Sequence, residues 1–223
     1  MAEFDLIQFD LDGTLIDSVP QLAQAVNRMR LQLGFGEAGE QAVRHWVGNG
    51  ADMLVRRALA DALGTEPGDE LRRAARTAFD AAYDQVADQG LVFYPGVLDT
   101  LAALRRAGKR LAIVTNKPYR FVPAILAAAG LSEQFELVLG GDSLPEKKPS
   151  PAPLLHVCRQ LDVDPARTLM VGDSENDVLA AQAAGMAVVG LTYGYNYGRD
   201  IADSGPNWVL SDFAALADIL LTD

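Results

Sequence analysis

The sequence predicts an α/β fold: a mostly parallel sheet with helices on both faces, and a helical insertion after its first strand. Three observations carry this. From Pro95-Gly96 onward, short apolar runs alternate with amphipathic helical segments, as expected when helical crossovers cover a parallel sheet. Residues from about Gln21 to Tyr94 show helical spacing and no strand alternation. A single apolar strand, Leu6-Ile7-Gln8-Phe9, stands before that block. The expected division is a core of residues 1–17 and 95–223, with an inserted helical domain over 18–94.

The first strand ends at Asp10-Leu11-Asp12-Gly13-Thr14. A helix is expected from Ser18-Val19-Pro20, because proline suits a first helical turn and Val19, Leu22, Val26, Met29 and Leu33 follow at helical spacing. Breaks in the helical block are expected at Gly34-Phe35-Gly36, at Gly48-Asn49-Gly50 and over residues 64–68. Beyond Gly96 the pattern predicts helices over Val97–Ala107, Phe121–Ala129, Ala152–Leu161, Glu175–Ala184 and Phe213–Leu221. Strands are predicted at Arg110–Thr115, Phe135–Leu139, Thr168–Val171, Ala187–Gly190 and Trp208–Leu210.

Composition narrows the function. The chain has 223 residues, 49% hydrophobic and 22% charged, with a net charge of -11 and only four lysines. Such a balance argues against nucleic-acid or membrane partners, which need a basic surface. No run approaches the roughly 20 apolar residues of a membrane span, and Met1-Ala2-Glu3-Phe4-Asp5 has no secretory pattern. A cytoplasmic protein is expected. The lone cysteine, Cys158, falls on the apolar side of its helix with Leu154, Leu155 and Leu161 and reads as a core thiol. His45 and His156 are too far apart in sequence to suggest a metal cluster. Gly34-Phe35-Gly36-Glu37-Ala38-Gly39 matches a dinucleotide fingerprint in letters, but it follows a helix where that motif needs a strand.

In an open parallel sheet, ligands bind beyond the carboxyl ends of the strands. There the sequence places Asp10 and Asp12, then Thr115 and Asn116, then Lys147-Lys148-Pro149, then Gly172-Asp173-Ser174-Glu175-Asn176-Asp177. Any one of these could be a helix cap or a turn. Together they bring carboxylates, a hydroxyl, an amide and an ammonium to one edge.

Asp10-Leu11-Asp12-Gly13-Thr14-Leu15, Thr115-Asn116, Lys148-Pro149 and Gly172-Asp173 with Asp177 resemble the four motifs of the haloacid dehalogenase superfamily. The resemblance implies a Rossmann-like core with a C1-type cap. Closer likeness to the phosphoglycolate phosphatase branch lies in residues 46–52, 114–118, 140–142 and 191–198. It implies a Mg²⁺-dependent phosphomonoester hydrolase acting on a small-molecule substrate, 2-phosphoglycolate and water giving glycolate and phosphate. Another small phosphate or a sugar phosphate is the alternative, with a β-phosphoglucomutase-type isomerase behind it. The protein would work as a monomer or homodimer.

Under this resemblance Asp10 is the nucleophile, ionised at neutral pH without help, and Asp12 the general acid and base, its pKa raised by neighbouring carboxylates. Four carboxylates facing a phosphate would repel it, so a hard divalent cation is needed. Its expected ligands are the Asp10 carboxylate, the Asp12 carbonyl and Asp173, with Asp177 behind them holding metal waters or Lys148. Thr115, Lys148 and backbone N–H groups near Leu11 and Asn116 would cradle the phosphoryl oxygens. Asp12 argues against a dehalogenase, and the absence of lysine between Gln21 and Tyr94 argues against Schiff-base phosphonate chemistry. Gly48, Asn49 and Gly50, ahead of a helix with Arg56 and Arg57, are expected to read the substrate carboxylate. Tyr193, Tyr195 and Tyr197 are expected beside the site without direct chemistry.

Overall fold

A computed structural model describes residues 4–221; the expected core's ends, 1–3 and 222–223, lie outside the described residues. In chain order the strands are β1 (Leu6–Phe9), β2 (Ile16–Asp17), β3 (Val92–Phe93), β4 (Arg110–Val114), β5 (Leu137–Leu139), β6 (Thr168–Gly172), β7 (Ala187–Leu191) and β8 (Trp208–Leu210). The helices are α1 (Val19–Gln32), α2 (Glu40–Trp46), α3 (Ala51–Leu63), α4 (Asp69–Tyr83), α5 (Val97–Arg106), α6 (Val122–Ala128), α7 (Ala152–Leu161), α8 (Glu175–Ala183) and α9 (Leu216–Leu220).

Six strands form one parallel sheet in the order β5-β4-β1-β6-β7-β8. The chain runs outward from β1 in one direction through β4 and β5, then returns to build β6, β7 and β8 on the other side. The strand order therefore reverses at β1, and such a switch point opens a crevice at the carboxyl edge. β1 is buried on both faces, as its apolar run requires. Its one polar residue, Gln8, points into the core and donates to the Leu154 carbonyl at 3.1 Å and to Cys158 Sγ at 3.4 Å. Cys158 is the buried thiol that the helix pattern predicted.

The predicted elements are present, with shifts of a residue or two at most ends. Phe121–Ala129 and Phe213–Leu221 each begin as a short 3₁₀ turn before the α-helix. The β2–β3 pair was not foreseen. It is a two-residue antiparallel ladder, Ile16 against Phe93 and Asp17 against Val92, too short to show alternation in sequence. It stitches together the points where the chain leaves the core and returns.

Between these points α1 to α4 pack on one another. The buried residues of α3 are Ala51, Leu54, Val55, Ala58 and Leu59, the stripe read from the sequence. Those of α4 are Ala75, Ala78, Phe79, Ala82 and Tyr83. The Gly34–Gly39 segment is a connection tied back to α1: Arg30 Nε donates to the Gly36 carbonyl at 2.6 Å, and Asn27 Oδ1 accepts from the Ala38 N–H at 2.7 Å.

Candidate active site

The carboxyl ends of β1, β4 and β6 lie side by side, so Asp10, Thr115 and Asp173 meet at one edge. Gly13 lets the first motif turn there: its φ is +84°, and a Cβ at this position would lie 2.3 Å from Asp173 Oδ2. Thr14 donates its hydroxyl to Asp173 Oδ1 at 2.6 Å, and the Tyr195 N–H donates to Oδ2 at 2.6 Å.

Lys148 comes in from the loop before α7 and is almost fully buried. Its Nζ lies 3.1 Å from Asp10 Oδ2 and 2.6 Å from Asp177 Oδ1, and donates to the Val114 carbonyl at 2.5 Å. Asp177 serves two purposes. It completes a capping box with Ser174 at the start of α8, and it holds Lys148. The sequence posed these as competing readings, and the structure shows both contacts. Lys147 points elsewhere, donating to the Asn49 carbonyl at 3.0 Å.

Among the described residues, Asp10, Asp173 and Asp177 bring carboxylate oxygens within 4.8 Å of one another. Burial raises the Asp10 pKa to about 6; Lys148 pulls the other way, and Asp177 and Asp12 add to the rise. Burial, with Asp177 and Asp10 close by, lifts Asp173 well above the usual carboxylate range. One lysine cannot offset three buried carboxylates. Their oxygens are hard donors with surplus negative charge, and such a set fits Mg²⁺.

Asp12 departs from expectation. Its charged neighbour is an ammonium: Lys117 Nζ donates to Oδ1 at 2.8 Å and Oδ2 at 2.9 Å, and Ser18 Oγ donates to Oδ1 at 2.6 Å. The anticipated ring of carboxylates around Asp12 is thus replaced by a lysine clamp. Burial disfavours the Lys117 charge, but Asp12 and Tyr83 outweigh it and hold the ammonium above its ordinary range.

Asn116 sits beside Thr115 as foreseen, with its side chain committed. Nδ2 donates to the Lys148 carbonyl at 2.9 Å and the Gly48 carbonyl at 3.2 Å. Asn176 also reaches Gly48, donating to its carbonyl at 3.2 Å and to the Tyr197 hydroxyl at 2.8 Å. The loop after β4 and the first turn of α8 therefore both grip the Gly48-Asn49-Gly50 turn. The arginines face away from the site. Arg57 braces the turn from behind, donating to the Trp46 carbonyl and to Asn49 Oδ1, each at 2.7 Å, while Arg56 pairs with Glu66 on the surface.

A small cavity of about 40 Å³ lies between Asp10 and Asp12 and the helical block. Gly48, Gly50 and Thr115 line it, but Asn49 does not. Much of its wall is apolar, from Leu22, Val47, Leu54, Phe79, Tyr83 and Phe121.

The model of the haloacid dehalogenase-like hydrolases matches residues 4–185. The chain belongs to this family. It is 51% identical over 219 residues to the phosphoglycolate phosphatase of Psychrobacter arcticus, covering 97% of this chain and 95% of that one. Against the phosphoglycolate phosphatase of Vibrio vulnificus strain YJ016 it is 50% identical over 221 residues, covering 98% and 97%. The crystal structure of a "predicted phosphoglycolate phosphatase" from Haemophilus somnus 129PT superposes with a TM-score of 0.93 at 44% identity, covering 98% and 99%. No helix among the described residues is long and apolar enough to cross a membrane.

Sequence reasoning missed several residues here. Lys117 lies within the matched stretch 114–118 without being singled out, although a lysine next to a strand-end Thr-Asn is a usable signal. Thr14 was seen only as part of the first motif and Ser18 only as a helix start, while Tyr195 was placed beside the site without its partner Asp173, which comes from another strand end. The tyrosine loop is also more tightly bound in than expected. Tyr193 donates to the Thr14 carbonyl at 2.9 Å, and Tyr195 donates its hydroxyl to Asp17 while accepting from the Ser18 N–H at 3.0 Å.

Proposed function

We propose that this chain is a Mg²⁺-dependent phosphomonoesterase whose nucleophile is Asp10 and whose substrate is 2-phosphoglycolate. The observation that carries the reading is the convergence of Asp10, Lys148, Asp173 and Asp177 at the switch point of the sheet, with Asp10 lining the cavity beside it. Asp10 attacks phosphorus in line, the bond to the leaving oxygen breaks, and an aspartyl-phosphate forms. Asp12 gives a proton to the departing alkoxide, then takes one from the water that hydrolyses the intermediate. Lys148, the Thr115 hydroxyl and backbone N–H groups near Leu11 and Asn116 neutralise and orient the phosphoryl oxygens. The Asp10 and Asp173 carboxylates and the Asp12 carbonyl would hold Mg²⁺, with Asp177 steadying Lys148. When bound, the ion supplies charge neutralisation at the phosphoryl group.

Residues 18–94 act as a cap over a core of 1–17 and 95–223. The similarity to phosphoglycolate phosphatases at about half identity supports the substrate. The cavity supports it too, since its largely apolar wall offers few partners for sugar hydroxyls, and leaving such hydroxyls unpaired disfavours them. The test is phosphate release from 2-phosphoglycolate and a panel of sugar phosphates, with and without Mg²⁺. Mass spectrometry of the trapped enzyme should locate phosphate on Asp10. Phosphate on another residue, or full turnover without metal, would refute the mechanism.

A further inference from the structure

Lys117 stands in an unusual position. It is buried, it holds both oxygens of Asp12, and its Nζ lies 4.8 Å from the centre of the Tyr83 ring, which belongs to α4. Of the side chains that line the cavity, it is the only cation. Lys148 serves Asp10 and Asp177 from behind, and Arg56 and Arg57 are turned away.

A substrate with a second anionic group must place that group somewhere in this cavity. Leu22, Val47, Leu54, Phe79 and Phe121 offer it nothing, and an unpaired buried carboxylate is costly. In the Gly48-Asn49-Gly50 turn the Gly48 carbonyl and Asn49 Oδ1 are acceptors already engaged by protein donors, so the turn has only neutral backbone N–H groups to offer an anion. Lys117 is the one side chain lining the cavity that can meet the charge with a full positive charge, and it is paired with Asp12.

We infer that Lys117 is the residue that reads the anionic tail of the substrate, and that it does so by exchanging one carboxylate for another. In the structure it pairs with Asp12. When the ester enters, its carboxylate takes the ammonium, and Asp12 is left with its Ser18 hydrogen bond and faces the leaving oxygen. No bond to carbon or phosphorus changes in this step; one ion pair replaces another of equal charge. An ester without the anionic tail leaves the Lys117–Asp12 pair in place. Selectivity therefore appears in turnover as well as in binding, because only the correct tail releases the side chain that serves the leaving group. Tyr83 holds the ammonium in reach of both partners, its ring face favouring the charge. This inference rests on the phosphatase reading above for the role of Asp12, but Lys117 as an anion reader is measurable without it.

The experiment compares 2-phosphoglycolate with ethyl phosphate, of similar size and without the carboxylate, in wild type, Lys117→Met and Lys117→Arg. Turnover is followed with Mg²⁺, and binding of both esters by calorimetry. Wild type should prefer 2-phosphoglycolate in kcat/KM. Lys117→Met should reduce that preference about 100-fold, with losses in both kcat and KM for 2-phosphoglycolate, and Lys117→Arg should recover at least about tenfold. If Lys117→Met does not fold, Lys117→Gln keeps a donor for Asp12 without the charge and should show the same loss of preference. An equal fall for the two esters would mean that Lys117 only holds Asp12, and would overturn the inference. If neither ester releases phosphate, the phosphatase reading fails. The calorimetric preference for 2-phosphoglycolate then decides on Lys117: its loss in the variant upholds the residue as the anion reader, and its survival overturns it.

Discussion

The sheet edge and the helical block face each other across the same cavity and are built on opposite principles. At the edge stand charged side chains locked by several partners each: Lys148 on two carboxylates and a carbonyl, Asp173 on a hydroxyl and an N–H, Asp177 on Ser174 and Lys148. Across from it, the block presents apolar side chains and a glycine turn. Its charged groups, such as Arg56, Arg76 and Asp69, mostly pair with one another at the surface. The lesson is a division of labour. On the proposed function, charge placed by strand ends would do the chemistry, and the apolar surface placed by helices would set the size and polarity of what is admitted.

The contrast can be broken most severely at the edge. Asp10→Asn should lower turnover by at least about 10⁴-fold with the fold intact, as removing a nucleophile commonly does; kinetics alongside a melting curve would show both. No single substitution in the block's apolar wall should approach that. Next in size is Lys148→Met, which leaves Asp10 and Asp177 buried without their cation. In the metal-free protein it should cost about 3–5 kcal/mol, read by denaturant unfolding. A loss under 1 kcal/mol would show that the ammonium is not what balances the cluster.

The electrostatics give a third way to sharpen the comparison. Asp10 titrates near 6 when folded and Asp173 well above its ordinary value. Groups with raised folded pKa values contribute stability that is complete below the unfolded carboxylate pKa, about 4, and is lost as pH rises through the folded value. Without metal, the melting temperature should therefore fall as pH is raised from about 4 past about 6. Mg²⁺ should recover it at neutral pH by several degrees, and Asp173→Asn should flatten the pH response and abolish the Mg²⁺ gain. The smallest effect belongs to the block. Gly50 has φ +85°, and a Cβ there would lie 3.0 Å from the Asn116 carbonyl oxygen. Gly50→Ala should cost about 1–3 kcal/mol and raise KM more than it lowers kcat.

The same division explains what could be read in advance. Asp10, Asp12, Thr115 and Asp173 were legible because each stands at or just past a strand end, and strand ends show as breaks in apolar runs; Lys148, in the loop before α7, and Asp177, in the first turn of α8, were legible through the motifs they complete. The block's stripe on α3 was legible as periodicity. Arg57 was not placed by periodicity, because its direction depends on Asn49 and Tyr197, which lie off the helix. Lys117 was underread for a related reason. Its partner Asp12 is roughly a hundred residues away, and nothing local distinguishes a lysine aimed inward from one in solvent. The β2–β3 pair gave no pattern because two residues cannot alternate.

That small pair has a consequence for how the chain finds its fold. β1 is central to the sheet, yet its neighbour β4 comes roughly a hundred residues later. Joining such distant segments carries a closure entropy that grows with the logarithm of the intervening length. Once Ile16 and Asp17 have met Phe93 and Val92, the effective separation of β1 and β4 shrinks about fourfold, which lowers the entropic cost of closing the sheet by about 1 kcal/mol. Two residue pairs thus turn a long excursion of chain into a shortcut.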